Sequence, residues 1–324
     1  MRALQYDVFG DAVEVLKLVD LPEPGAPGPG EVQVAVLYAP LNHHDLLTIA
    51  GTKKPNPALP AVAGNEGLGR VVATGPGVGN VEPGDIVVLP LLLGTWRERM
   101  TAPAHGLTPL PDGDLQQFSM LGSNTPTAGL ALSEYVPLAK GDWVAQSSGN
   151  GGVGRNLIAL AKARGFRTAS LVRRPELVDE LHAAGADVVV VDGPHAAAEI
   201  ASATGNAPIR LAVEGVGGRV ADELLGLLAP GGTLLRYAAR DEIDQDGSAA
   251  ARGIHIDRLS VAGFDYATKI VPVIAEAVPL IESGALRVPV EAVYGLDEIR
   301  TAIAHLKRGG KIILRVPDQG QRPA

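Results

Sequence analysis

Between Trp143 and Arg174 the chain reads W-V-A-Q-S-S-G-N-G-G-V-G-R-N-L-I-A-L-A-K-A-R-G-F-R-T-A-S-L-V-R-R, and few folds accommodate such a stretch. The apolar run Trp143 to Gln146 reads as a buried strand. A turn of small residues follows, with Gly149, Gly151 and Gly154 in G-x-G-x-x-G spacing. Leu157, Ile158, Leu160 and Ala161 then place apolar side chains on one face of a helix that ends at Gly165. Thr168 to Val172 is a second strand. A glycine turn between a strand and a helix lets the backbone bend tightly and lets a pyrophosphate approach without Cβ clashes. The helix start adds unpaired N–H groups and a partial positive charge. The segment Gly149, Asn150, Gly151, Gly152, Val153 and Gly154 is therefore the expected phosphate cradle of a dinucleotide site.

The end of the second strand selects the dinucleotide. An acidic residue about 20 positions on would hold a ribose 2′-hydroxyl. Arg173 and Arg174 stand there instead. Guanidinium forks suit a 2′-phosphate in shape and charge, so the expected cofactor is NADP(H). The alternative is that one or both are solvated surface charges.

With 324 residues the chain has room for two domains. Hydrophobic residues make up 46% and charged residues 20%, so a large core is feasible and disorder is not expected. A net charge of −8 argues against nucleic acid or an anionic membrane surface as partner. There is no cysteine, which excludes disulfides, thiolate zinc sites and cysteine nucleophiles. Met1 to Gly10 does not read as a signal peptide, and no apolar run approaches the roughly 18 residues of a spanning helix. The expectation is a cytoplasmic protein acting on a small molecule.

Two patterns divide the chain. Residues 1–117 hold short alternating segments punctuated by Gly and Pro: M-R-A-L-Q-Y, V-E-V-L-K-L-V-D, E-V-Q-V-A-V-L-Y from Glu31, the run from Val62 to Val72, and V-E-P-G-D-I-V-V from Val81. These predict a β-rich, barrel-like domain. An apolar helix-like piece ends at Gly51. Over 118–264 helical runs alternate with V-V-V-V-D (188–192), L-A-V-E-G-V (211–216), T-L-L-R-Y (233–237) and S-V-A-G-F (260–264), the pattern of a doubly wound parallel sheet. A helix pair and a final strand from Lys311 to Val316 read as a return to the first domain over 265–324. Pro317 stops that strand, and the residues after it read as a frayed tail.

G-N-E-G (64–67), V-E-P-G-D (81–85), G-T-W (94–96), L-G-S-N-T-P-T-A (121–128) and G-N-G-G-V-G (149–154), in this order, resemble the medium-chain dehydrogenase/reductase superfamily. Within it the chain looks most like the zinc-independent branch of 2-enoyl thioester reductases and quinone oxidoreductases. The resemblance implies a GroES-like catalytic domain (1–117 and 265–324), a Rossmann NADP(H) domain (118–264) and a homodimer. Zinc-dependent relatives carry a cysteine near position 42 and a histidine at position 65; here Asn42 and Asn65 stand there, poor ligands for Zn²⁺. His43, His44 and Asp45 read as loop or helix-start residues, with Asp45 a local cap, rather than as a metal site.

The implied activity is hydride transfer from NADPH to an activated C=C bond of an enoyl thioester, enone or acrylate-like substrate. The alternatives are a quinone reductase and a non-catalytic NADPH-binding protein. By the same resemblance Asn124 and Thr127 touch the nicotinamide end, while Tyr237, Ala238, Gly263 and Phe264 line the ligand cleft. Lys311 matches a lysine near the cofactor, or simply opens the last strand. Asn42 faces substrate or braces its loop. Trp96 reads as a core or domain-interface aromatic rather than a ligand platform. The enoyl reductases place a tyrosine in a G-T-Y-P loop; this chain has G-T-K-K-P, with Lys53 at that place. Lys53 either donates a proton or binds an anionic group, or is a solvated loop charge.

Overall fold

A computed structural model describes residues 1–52, 56–238 and 247–317, which fall into two compact units. The first unit holds Met1–Ser123, Asp265–Pro272 and the chain from Pro289 on; the second holds Asn124–Phe264 and Val273–Val288.

The first unit opens with β1 (Arg2–Tyr6), helix α1 (Ala12–Val15), β2 (Lys17–Asp20) and the long β3 (Glu31–Leu41). Helix α2 (His43–Ile49), β4 (Ala61–Val62), β5 (Leu68–Thr74), β6 (Ile86–Val88), β7 (Arg99–Pro103) and α3 (Leu115–Phe118) follow. The second unit contains α4 (Asn124–Ala131), β8 (Trp143–Gln146), α5 (Gly152–Arg164), β9 (Arg167–Val172), α6 (Leu177–Ala183) and β10 (Val188–Val191). It continues through α7 (Ala196–Ala203), β11 (Ile209–Glu214), α8 (Gly218–Leu227), β12 (Leu228–Arg236), α9 (Ser248–Ala251), β13 (His255–Arg258) and α10 (Val271–Glu282), of which Val271 and Pro272 group with the first unit. The chain then returns to the first unit with β14 (Val290–Tyr294), α11 (Ile299–Arg308) and β15 (Lys311–Arg315).

In the first unit a small sheet runs β2-β1-β4 and a larger one β14-β15-β3-β5-β6, with β7 also paired to β3. Leu4, Val34, Leu41, Trp96, Ile303 and Ile312 lie in one buried core. The apolar face of each strand must leave water, and two sheets facing a shared core satisfy both. In the second unit six parallel strands run β10-β9-β8-β11-β12-β13. The chain winds one way from β8 to β10 and then back from β8 to β11, so a crevice opens at the carboxyl ends of β8 and β11.

Several expectations need correction. V-E-V-L is not strand: Asp11 caps a single turn, its Oδ1 accepting the Val13 N–H at 2.9 Å. The run 260–264 is not strand either. Val261–Gly263 forms a 3₁₀ turn, and the sixth strand is β13, whose four residues are all exposed. The return carries a further strand, β14, parallel to β15 and joined to it through α11. Helix α10, expected with the first domain, groups largely with the second unit. Arg164 of α5 holds Glu276 of α10 through Nε and Nη2, the latter at 2.7 Å, and Val273 packs on Gly129. Lys53 and the tail from 318 lie outside the described residues.

Candidate active site

The glycine turn has the expected form. β8, all four residues buried, delivers the chain to Ser147 and Ser148, and Ser148 takes a left-handed φ of 52°. The Ser148 carbonyl accepts the Gly151 N–H at 2.8 Å. Helix α5 then starts at Gly152, and the N–H groups of its first turn have no partner within the helix. Gly154 is where helix meets turn. A Cβ there would lie 2.5 Å from the Ser148 carbonyl oxygen and 2.6 Å from that of Gly149, with no flexible side chain to yield. Gln146 pins this geometry from below, its Nε2 donating to the Gly154 carbonyl (3.2 Å) and to Ser170 Oγ (2.9 Å). From the side, the Thr125 hydroxyl donates to Asn156 Oδ1 (2.6 Å), and Asn156 Nδ2 donates to the Gly152 carbonyl.

Asn124 begins α4 beside this helix start. It is buried, and its Nδ2 has no hydrogen-bond partner among the described residues. A Cβ on Gly152 would sit 2.6 Å from that nitrogen. A buried amide left without an acceptor is unfavourable by about 1–3 kcal/mol, so an acceptor atom of a ligand could be held there. Thr127, one turn on, is buried in the same helix. Arg155 reaches back to the Asn150 carbonyl (3.1 Å) and pairs with Glu180 of α6. Val153 is buried against the core.

At the switch point the Gly215 N–H donates to Ser147 Oγ at 2.9 Å, tying the end of β11 to the end of β8. Tyr237, just past β12, lies over Gly215: a Cβ on that glycine would be 2.3 Å from the ring. Burial, with Glu214 nearby, raises the Tyr237 phenol well above its ordinary range, so it stays protonated. Beneath it Glu214 and Arg236 form a fully buried ion pair at 3.1 Å. The same carboxylate accepts the Val216 and Gly217 N–H groups. Ala238, Gly263, Arg173 and Arg174 are exposed, and Phe264 is half-buried. Arg174 makes only a loose pair with Glu176 at 3.6 Å, with both side chains in water.

The first unit holds a second concentration of polar groups, around Asn42. Asn42 Nδ2 donates to Glu66 Oε1 at 2.6 Å, and Lys311 Nζ donates to Asn42 Oδ1 at 2.7 Å. Lys311 and Glu66 are 3.6 Å apart, with side chains 9% and 0% exposed. Asp45, equally buried, accepts the backbone N–H of Asn42 (2.7 Å) and of Asn65 (2.8 Å). Asn65 Nδ2 points to Thr48 Oγ1 at 3.3 Å. The Thr95 hydroxyl of G-T-W donates to the Glu66 carbonyl at 2.6 Å, which locks this loop against G-N-E-G. Among the described residues no side chain hydrogen-bonds Glu66 Oε2, and the Ser123 backbone N–H lies close to the carboxylate.

These charges titrate abnormally because water is excluded. Burial raises the Asp45 carboxyl to about 7; the neighbouring Glu66 adds to the shift, and the two N–H groups and Lys311 oppose it. Burial likewise raises Glu66, against Lys311, the Asn42 amide and the Ser123 backbone N–H. Lys311 is lowered by burial and partly held up by the two carboxylates. Two buried carboxyl groups share one buried cation, so one of them is driven to keep a proton near neutral pH.

Asn42 is a brace between two charges as well as a helix-start residue, and Asp45 is the local hydrogen-bond partner expected. Lys311 reaches Asn42 and Glu66. Glu66 and the Glu214–Arg236 pair were not among the expected site residues. Glu66 lies inside G-N-E-G, which carries the family resemblance and the zinc argument through Asn65, with no role assigned to its carboxylate. Glu214 and Arg236 carry no local signal, because only the sheet brings positions 214 and 236 side by side.

Residues 28–112 match the model of the alcohol dehydrogenase GroES-like domain, and residues 152–283 that of the zinc-binding dehydrogenases. The mitochondrial enoyl-[acyl-carrier-protein] reductase of Bos taurus is 41% identical over 73% of this chain, which spans 65% of that protein's length. One from Caenorhabditis elegans is 34% identical over 73% of this chain and 70% of its own. The quinone oxidoreductase of Pseudomonas syringae superposes with a TM-score of 0.85 at 27% identity, covering 97% of this chain and 99% of the other. With these likenesses over both units, the chain belongs to the medium-chain dehydrogenase/reductase superfamily, in the branch of the enoyl reductases and quinone oxidoreductases.

Proposed function

We propose that the protein is an NADPH-dependent reductase of activated C=C bonds that works without a metal. The observation that carries this reading is the orphaned Asn124 carboxamide beside the start of α5, in a cradle that a Cβ would fill. The residues fit a dinucleotide. Gly149 to Gly154 would take its pyrophosphate, Arg173 and Arg174 a 2′-phosphate, and Asn124, Thr127, Tyr237 and Ala238 the nicotinamide end. Gly263 and Phe264 belong to the proposed cleft as turn residues. A bound reduced nicotinamide supplies the hydride. The protein's own part is to orient an α,β-unsaturated carbonyl and offer hydrogen-bond donors to the oxygen on which charge develops.

The residues do not fit zinc. Asn42 and Asn65 offer neutral carboxamides, and the oxygen of Asn42 is taken by the Lys311 ammonium, a cation that would repel a metal ion. Quinone reduction is the second reading, favoured by the P. syringae relative, which covers nearly the whole chain. The setting proposed for either reading is a cytoplasmic homodimer. No helix among the described residues is long and apolar enough to cross a membrane.

The test is oxidation of NADPH and of NADH with crotonyl-CoA, 2-cyclohexenone and 1,4-naphthoquinone as acceptors. Turnover of the thioester or the enone is expected, with Arg173→Ala/Arg174→Ala weakening NADPH at least about tenfold more than NADH. Equal loss for both cofactors would remove the 2′-phosphate assignment. Tight NADPH binding without turnover of any acceptor would leave a binding protein.

A further inference from the structure

A 2′-phosphorylated dinucleotide carries two anionic groups, one for the glycine turn and one for the residues past β9. Both stations lie in the second unit, and Arg155 links them. This residue follows Gly154 directly, and its side chain is only 8% exposed although it is charged. A charge is kept out of water only where it is paired. Nε donates to the Asn150 carbonyl at 3.1 Å, and Nη2 pairs with Glu180 of α6. The peptide joining Asn150 to Gly151 is thus held at both ends, because its N–H donates to the Ser148 carbonyl at 2.8 Å. Turning that carbonyl towards a bound phosphate would break both bonds. Helix α6 lies against the same turn. A Cβ on Gly149 would be 3.1 Å from Cδ1 of the buried Leu181. Leu177 and Leu181 share a small apolar core with Ile158 of α5 and Val172 at the end of β9. The Leu177 N–H donates to the Arg174 carbonyl at 3.2 Å, so α6 starts on the arginine pair. A continuous path therefore runs from the Asn150 carbonyl through Arg155 and Glu180 to α6 and Arg174.

We propose that Arg155 is a positioning residue that sets selectivity for the 2′-phosphorylated dinucleotide, by strapping the glycine turn to α6 so that the two phosphate stations keep a fixed spacing. This rests on the NADPH reading above. A ligand that carries both anions gains from the spacing, because turn and arginine pair are ordered before it arrives. A ligand with the pyrophosphate alone gains only from the turn. Charge is the rival account. Neutralising Glu180 leaves the Arg155 cation without its counter-ion, and an uncompensated cation beside the cradle attracts anions more strongly. A strap loses one of its ends in the same variant and holds the dinucleotide less well. The two accounts therefore differ in sign.

Isothermal titration of the wild type, Glu180→Gln, Arg155→Met and the double variant with NADPH and with NADH decides between them. The Kd for NADPH is expected to rise about tenfold in each single variant, and that for NADH about threefold or less, a modest coupling between two sites. The double variant should bind no more weakly than Arg155→Met, since two ends of one strap do not add. Arg155→Lys should behave like Glu180→Gln, because an ammonium lacks the fork that spans both partners. In turnover the KM for NADPH should rise by the same factor while kcat stays within about twofold. Should Arg155→Met fail to fold, Glu180→Gln carries the test, as the Glu180 side chain is 45% exposed. Tighter NADPH binding in Glu180→Gln would overturn the proposal, as would equal losses for the two cofactors or losses that add in the double variant. A wild type that binds neither dinucleotide, or binds both equally, removes the NADPH reading and the strap with it. A selective wild type whose variants stay as selective removes the strap alone.

Discussion

Asp45 shows how far one buried carboxyl can depart from its behaviour in water. Raised from 3.8 to about 7, it holds its proton in the folded state over a range where the unfolded chain has released it. Its contribution to stability is thus fully present below about pH 4 and is lost as pH rises towards 7, about 4 kcal/mol across the shift. Glu66 and Lys311 face it, and Tyr6 feels its charge. In Asp45→Asn that titration is absent while the neighbours remain. Urea unfolding of the two proteins should show the variant most destabilised at pH 4–5 and closing on the wild type by pH 7.5. A gap that is constant or widens with pH would contradict the assignment. Asp45 was readable in sequence as a local partner because capping is short-range. Its protonation was not, since that depends on Glu66 and Lys311, 21 and 266 positions away in the chain.

At the level of elements, legibility followed locality. β8 and α5 fall on the expected residues because each end has its own chemical mark: an apolar run, a glycine turn, and Gly165 with a left-handed φ of 79° at the helix end. β13 and β14 have no such mark. The first is exposed throughout; the second alternates in burial, but its outward Val293 blurs the apolar alternation in the sequence that betrays a strand. The grouping of α10 rests on Arg164 and Glu276, a pair without sequence proximity. The meeting of turn and helix at Gly154 yields a direct test. Gly154→Ala pushes a methyl group into two backbone carbonyls, so NADPH affinity should fall by about 100-fold, roughly 2–3 kcal/mol, within the strain range for such clashes. Gly226→Ala in α8 meets no atom within 4 Å and should instead stabilise by about 0.5–1 kcal/mol. Isothermal titration and thermal melting of both variants check the pair; equal behaviour would mean the cradle is softer than described.

Across the whole molecule, each unit buries a charge pair that its surface could not hold: Lys311 with Glu66 in the first, Arg236 with Glu214 in the second. Removing one partner of such a pair strands the other, whereas removing both is far better tolerated. An internal ammonium where zinc-dependent relatives bind metal makes one prediction for the intact protein. Prolonged dialysis against 1,10-phenanthroline or EDTA should leave turnover and Tm unchanged, and a loss restored by added zinc would refute the metal-free assignment. The strand order has a consequence for biosynthesis. β15 sits between β14 and β3, yet the ribosome makes it after both. Until it arrives, the Tyr38–Leu41 end of β3 keeps one edge open to foreign strands, and Asn42 and Glu66 wait without their ammonium. A nascent chain stalled before residue 311 should therefore be both inactive and adhesive.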